Sequence, residues 1–134
     1  MLLSEIMSRP VVTVEFDDRL REVKEIFDRL RFHHLLVVDN GKLFGVVSDR
    51  DLLKALSPFL GTLSETERDA HTLDKRVHQI MSRKPVTLRA NDRVAAAIDL
   101  FLQRNISCVP IVDEHDHPVG IVSWRDILRV VTPP

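Results

Sequence analysis

Residues 45–53 read Gly45-Val46-Val47-Ser48-Asp49-Arg50-Asp51-Leu52-Leu53, and a near copy, GIVSWRDIL, returns at Gly120–Leu128. In each copy a glycine leads into a short β-branched run that meets a serine, and two residues separate that serine from an aspartate. Strand patterning therefore gives way to helix patterning at Ser48 and again at Ser123. A strand-to-helix junction leaves free backbone N–H groups beside the positive end of a helix dipole, which suits anions. The same S-x-x-D spacing is a variant of the capping box, with serine at the N-cap and an acid three residues on. The two readings are compatible, since the serine can cap while the aspartate faces a cleft. Two such junctions in a short chain point to two small sites related by pseudo-symmetry.

Working outward, the duplication extends over most of the chain. Ile6-Met7-Ser8-Arg9 recurs as Ile80-Met81-Ser82-Arg83, Val12-Thr13 as Val86-Thr87, Asp18-Arg19 as Asp92-Arg93, Phe27 as Phe101, and Val38-Asp39 as Val112-Asp113. The offset is constant until one extra residue enters the Glu114–Pro118 turn. Two copies fit two pseudo-symmetric halves better than an open array of repeats. Each half begins with a predicted short helix: Leu2, Leu3, Ile6 and Met7 in the first, Leu73, Val77, Ile80 and Met81 in the second. Pro10 and Pro85 stop these helices, because proline disfavours helix in the residue before it. Extended segments Val11–Val14 and Val86–Leu88 follow.

Asp17 and Asn91 are the expected N-caps of helices of about 14 residues. Leu20, Val23, Phe27 and Leu30 share one face of the first, and Val94, Ala97, Ile98 and Phe101 one face of the second. Strands are expected at Leu35–Val38 and Val109–Val112, nearly all apolar and so buried on both faces. Turns at Asp39-Asn40-Gly41 and Asp113–Pro118 lead to strands Leu43–Val47 and Val119–Val122. The expected organisation is a first repeat over residues 1–56, a connector over 57–72 and a second repeat over 73–134. Ser57-Pro58 and Gly61-Thr62 mark the connector as exposed, with a short helix beginning near Ser64.

Composition bounds what such a chain can do. Its 134 residues are 44% hydrophobic and 29% charged, with a formal net charge of −1, ordinary values for a soluble globular protein. That balance gives no electrostatic footprint for nucleic acid or an anionic membrane. The single cysteine, Cys108, excludes an internal disulfide, offers no metal-ligand spacing, and sits in an apolar stretch as a buried thiol. The N-terminus shows no signal peptide, and no apolar run approaches the roughly 20 residues of a membrane helix. A cytoplasmic setting is the default. The four glycines form no phosphate loop, and no nucleophile–base–orienter set can be assembled, so no enzymatic activity is expected.

The duplicated I-M-S-R-(K)-P-V-T, the I-S-C-V-P-I-V-D stretch at Ile106–Asp113 and the two G-h-h-S-x-R-D-h junctions resemble tandem cystathionine-β-synthase (CBS) domains. A pair of these forms a regulatory unit called a Bateman module, and the resemblance covers nearly the whole chain. It implies an α/β (α+β) fold of two repeats, each helix–strand–helix–strand–strand–helix, packed sheet to sheet with helices outside. It also implies binding of AMP, ADP, ATP or S-adenosylmethionine as a regulatory ligand in clefts between the repeats, with no covalent cofactor and no metal. On this resemblance Asp51 and Asp126 accept hydrogen bonds from the ribose hydroxyls, since a carboxylate suits a vicinal diol. Ser48 and Ser123 offer hydroxyls to ribose or phosphate, and Arg50 and Arg125 meet phosphate charge. Val12 and Thr13 in one site, and Lys84, Pro85, Val86 and Thr87 in the other, contact adenine. His33 and His34, and Ser107, Val109 and Pro110, complete the walls.

The halves also differ. Leu35-Leu36 stands where the second half has Val109-Pro110, and His33-His34 where it has Ser107-Cys108. Losing the proline frees a backbone N–H, so the Asp126 site is the better-preserved of the two. Trp124 replaces Asp49 and can pack over a ligand or simply serve as an interface aromatic. The family further implies a homodimer and an effector protein as partners, with neither nucleic acid nor membrane. A different class of function, a structural homodimerisation module with vestigial sites, remains open on the sequence alone.

Overall fold

The chain order of the computed structural model, which describes residues 1–9 and 11–131, repeats itself. The first half runs β1 (Thr13–Glu15), α1 (Leu20–Arg29), β2 (His34–Asp39), β3 (Lys42–Ser48) and α2 (Asp49–Ala55). The connector carries α3 (Glu67–His71). The second half runs β4 (Ser82–Arg83), α4 (Val94–Gln103), β5 (Cys108–Val112), β6 (Pro118–Ser123) and α5 (Trp124–Val130). These are five helices and two sheets among the described residues, the mixed α/β class expected. Pro10 lies outside the described residues.

Two compact units form, and each takes its leading segment from the other repeat. Met1–Val12 and Asn40–Leu43 join Pro85–Pro134 in one unit, while Thr13–Asp39 joins Phe44–Lys84 in the other. In the second of these the sheet order is β1-β2-β3-β4. β1 lies parallel to β2 with Thr13 opposite Leu36, and β4 runs antiparallel to β3 with Gly45 opposite Arg83. Leu35, Leu36, Val37 and Val38 are all buried, as a strand covered on both faces requires. In the other unit β5 and β6 form an antiparallel pair, flanked by single bridges from Leu88 to Ile111 and from Ser8 to Ile121. Its core packs Leu3, Met7, Ala97, Phe101, Val109, Ile111, Val122 and Ile127.

The leading helices expected at Leu2–Met7 and Leu73–Met81 are instead 3-10 turns, at Leu3–Glu5 and at Thr72–Asp74 and Val77–Gln79. Leu3, Met7, Val77 and Met81 are buried as the spacing implied, with Leu3 and Val77 at 0% exposure, whereas Leu2 is exposed and Ile6, Leu73 and Ile80 are only partly covered. The backbone donors of these turns, however, are taken by the other repeat: Val77 N–H donates to Asp18 O (2.8 Å) and His78 N–H to Phe16 O (3.1 Å), as Leu3 does to Asp92 O (2.9 Å) and Ser4 to Ala90 O (2.8 Å). In a regular helix over Leu73–Met81 the Val77 and His78 donors would instead go to the carbonyls of Leu73 and Asp74.

The same exchange moves the helix starts. The N-caps of α1 and α4 are Arg19 and Arg93, without a side-chain cap, rather than Asp17 and Asn91. Leu20 N–H donates to Lys75 O (2.8 Å) and Val94 N–H to Met1 O (3.0 Å), so backbone carbonyls do a capping side chain's work. Both helices are correspondingly shorter than expected, at 10 residues each. The connector is more ordered than its composition suggests. Thr66, not Ser64, caps α3, and Asp69 accepts from Thr66 N (2.8 Å) and Ser57 Oγ (2.7 Å). These bonds, the Ser57 hydroxyl first, hold the Asp69 carboxyl below its usual range.

The glycine that opens each junction is fixed by close approach. A Cβ on Gly45 would stand 2.6 Å from Met81 Sδ and 2.7 Å from the Ser82 carbonyl oxygen, whereas the nearest atoms to one on Gly120 all belong to the Met7 side chain. Gly45→Ala is therefore expected to destabilise the fold by about 1–3 kcal/mol. Gly120→Ala should cost less, because a methionine side chain can swing away and a backbone carbonyl cannot. Urea unfolding of the two variants checks the order.

Candidate ligand-binding site

At each junction strand passes into helix within one residue, and serine and aspartate close on each other. In the first, Ser48 Oγ accepts from Asp51 N–H (3.0 Å) and Asp51 Oδ2 accepts from Ser48 N–H (2.8 Å). In the second, Asp126 Oδ2 accepts from Ser123 N–H (2.8 Å) and from Ser123 Oγ (3.2 Å). Capping accounts for one carboxylate oxygen in each pair. What separates the junctions is the other oxygen.

Asp126 is only 5% exposed, and its Oδ1 accepts from Ser8 Oγ (3.0 Å) and from Arg129 Nη1 (3.4 Å). That carboxylate is satisfied from within the chain. Asp51 is half-buried, and among the described residues nothing donates to its Oδ1. It lines an open cleft of about 300 Å³ together with Lys54, Ala55, Lys75 and Ile80. Sequence alone favoured the Asp126 junction; the geometry gives the accessible carboxylate to Asp51. The difference arises from Ser8, whose motif repeats as Ser82 but which reaches Asp126 only through the folded chain.

Around Asp51, His33 and His34 differ in exposure, His34 being half-buried at the start of β2. His33 precedes β2 and is exposed, with Nδ1 3.0 Å from Asp49 Oδ2. Burial pushes the His34 imidazole below its ordinary pKa, while the carboxylates of Asp49 and Asp51 pull the other way. Burial raises and the His33 bond lowers the Asp49 carboxyl, with the Arg50 N–H assisting, and the balance holds it below its usual value. Arg50 is exposed, Val12 half-buried and Thr13 exposed at the start of β1.

The expected wall around Asp126 is buried at its strand, as Leu35 and Leu36 are in the first half. Val109 is at 0% exposure, and the Pro110 side chain is fully buried, with its carbonyl accepting from Leu88 N–H (3.2 Å). Pro85, Val86 and Thr87 are half-buried, while Ser107 and Arg125 are exposed. Lys84 is exposed and holds a left-handed backbone, φ 49°. Trp124 stacks on Phe101 with ring centroids 4.8 Å apart, which fixes it as a packing aromatic on that side. Lys54 and Lys75 escaped the sequence reading, since no motif marks them, and Ile80 entered it as part of the repeated I-M-S-R motif and a helix stripe without a place in the site.

Cys108 is buried, and burial pushes its thiol up to about 12. Iodoacetamide at pH 8 should therefore leave the native chain almost unmodified and alkylate it promptly after denaturation, as intact mass reports. Among the described residues no group of three His, Cys, Asp or Glu side chains is placed to hold a metal ion. No helix among them is long and apolar enough to cross a membrane.

Comparison with known proteins bears on both junctions. The model of the CBS domain matches residues 3–58 and 77–133, one match per repeat. A CBS domain-containing protein of Dictyostelium discoideum is 33% identical over 133 residues, 98% of this chain and 91% of that protein. The chain spans less than half the length of several other curated relatives, from Methanocaldococcus jannaschii. Among solved structures, the CBS domain pair of protein MJ0100, in complex with 5′-methylthioadenosine and S-adenosyl-L-methionine, is 31% identical with a TM-score of 0.77, over 97% of this chain and 94% of that one. The cytosolic domain of the Mg2+ channel MgtE, in complex with ATP, is 28% identical with a TM-score of 0.74, over 94% of this chain and 47% of that one.

Proposed function

The chain belongs to the CBS domain family, and from that premise we propose that it is a regulatory module that binds an adenosine-containing ligand without transforming it. The observation that carries this is the half-buried Asp51, which lines a cleft and has one carboxylate oxygen used in capping and no donor on the other among the described residues. A carboxylate so placed suits a vicinal diol. Support comes also from the two relatives of 28% or more identity whose complexes hold S-adenosylmethionine and ATP. Ser48, Arg50, His33, His34, Val12 and Thr13 belong to this site in the proposal. The residues around Asp126 (Ser123, Arg125, Lys84, Pro85, Val86, Thr87, Ser107, Val109 and Pro110) form a weaker second site, because a ligand there must displace Ser8 and Arg129 from the carboxylate.

Regulation requires that the ligand bind one arrangement of the module better than another. The response passes to an effector protein in the cytoplasm, and the module, two repeats over 1–56 and 73–134 joined by the 57–72 connector, acts as a homodimer of such chains. Leu53 on α2 and Leu128 on α5, exposed at 73% and 65%, are apolar surface in keeping with self-association. Isothermal titration against adenosine, AMP, ATP and S-adenosylmethionine tests the ligand class. Saturable binding of at least one is expected; none at millimolar concentration refutes the reading. Light scattering with and without ligand tests the dimer, and a ligand-indifferent dimer would favour a purely structural role.

A further inference from the structure

The cleft beside Asp51 carries a charge pattern that the junction motif does not encode. Lys54 lies three residues beyond Asp51, so both project from one face of α2. Lys75 reaches the same cleft from the far side of the connector. Neither lysine makes an ion pair among the described residues, and neither faces a carboxylate in the cleft other than Asp51. Lys75 Nζ donates to Ala55 O (3.2 Å), which covers a carbonyl at the C-terminal end of α2 that would otherwise repel an anion. Two ammonium groups against one carboxylate leave the cleft net positive, in a chain whose overall charge is −1.

We propose that Lys54 and Lys75 form a phosphate-binding pair, so that the ligand held at Asp51 is a nucleotide carrying phosphate and not a cationic sulfonium or an uncharged nucleoside. This rests on the reading of Asp51 as a ribose-binding residue and adds the part of the ligand that reading leaves open. The chemistry divides cleanly along the cleft. Asp51 Oδ1 accepts from a vicinal diol, and the ammonium groups, each with donors to spare, meet phosphate oxygens. A sulfonium centre beside two lysines meets like charge, and adenosine leaves both unpaired. Lys54 and Lys75 are exposed, so their attraction is open to screening by salt.

Titration calorimetry with four probes, adenosine, S-adenosylmethionine, ATP and inorganic tripolyphosphate, separates the two halves of the site. ATP should bind the wild-type chain at least tenfold more tightly than adenosine or S-adenosylmethionine. Lys54→Ala and Lys75→Ala should each weaken ATP by about tenfold while leaving adenosine within about twofold. Raising the salt from about 0.05 M to 0.5 M should weaken ATP and spare adenosine. Tripolyphosphate should compete with ATP in the wild type and not in the double lysine variant. S-adenosylmethionine or adenosine binding as tightly as ATP, with both lysine variants neutral, would overturn the phosphate pair and leave the ribose role of Asp51 standing. Loss of ATP in the lysine variants with no effect of Asp51→Ala would overturn the ribose role and keep an anion site. Absence of binding by any probe would overturn both. Thermal unfolding of each variant guards against a folding defect, and Lys54→Arg should restore most of the ATP affinity.

Discussion

Asp51→Ala is expected to weaken binding of the adenosine ligand by at least about a hundredfold. Two hydrogen bonds from a ribose diol to a charged acceptor are lost together, each worth about 1.5–3 kcal/mol. The fold should survive the change. Within the chain Asp51 gives up only its bond from the Ser48 N–H, a cap interaction worth about 1 kcal/mol, and Ser48 is only half-buried, so water can take the place of the lost acceptor. Calorimetric titration at matched folded fraction measures the loss. Asp51→Asn should fall between the two, since the amide keeps one acceptor oxygen and replaces the other with a donor.

Asp126→Ala is expected to produce the opposite profile, a loss of stability of about 2–4 kcal/mol with a small effect on the tighter binding event. Its buried carboxylate accepts from the Ser123 N–H, the Ser123 hydroxyl, the Ser8 hydroxyl and Arg129. Removal strands half-buried donors in β6 and the N-terminal segment that their surroundings cannot hydrate fully. The Arg129 share is small, because that side chain is 68% exposed. Ser8→Ala removes one of those donors instead of their acceptor, so it should cost less than Asp126→Ala; chemical denaturation of both variants tests the order. The bridge between Ser8 and Ile121 makes the N-terminal segment the part of that unit that Asp126→Ala should loosen first, which hydrogen exchange at Ser8 and Ile121 would show.

What was legible in the sequence was local. Short apolar runs and turn chemistry placed β2, β3, β5 and β6 to within a residue or two, and the S-x-x-D spacing placed α2 and α5 with their caps. Asn40 and Gly41 both adopt positive φ, as a tight hairpin turn demands. The extra residue of the second turn is absorbed by Asp116 at φ 63° and by Asp113, whose carboxylate accepts from the N–H groups of His115 and His117. The elements that were misread are those whose backbone partners lie in the other repeat. Val77 and Met81 have the spacing of a helix stripe and are buried like one. Their segment nevertheless forms a 3-10 turn, because the Val77 and His78 donors are drawn to Asp18 and Phe16. Propensity yields there to tertiary pairing.

The site divides in the same way. Ser48 with Asp51, and Ser123 with Asp126, could be paired from spacing alone. The inequality of the two carboxylates could not, since it depends on Ser8 reaching Asp126 across a sequence separation of 118. Nor could the cation pair, since Lys54 follows no motif and Lys75 enters the cleft from the end of the connector. Leu36 stands where the second junction has Pro110, which marks the first junction as the altered one. In the folded chain Leu35 and Leu36 are sealed into the core just as Val109 and Pro110 are, so the two sites part at their aspartates, Asp126 being bonded by Ser8 and Arg129 and Asp51 lining a cleft.

The most direct test is calorimetric titration of ATP into the wild-type chain, Asp51→Ala and Asp126→Ala at a temperature where all three are folded. The account predicts that the tighter binding event disappears in Asp51→Ala and persists in Asp126→Ala. Retention of that event in Asp51→Ala, with its loss in Asp126→Ala, would contradict it.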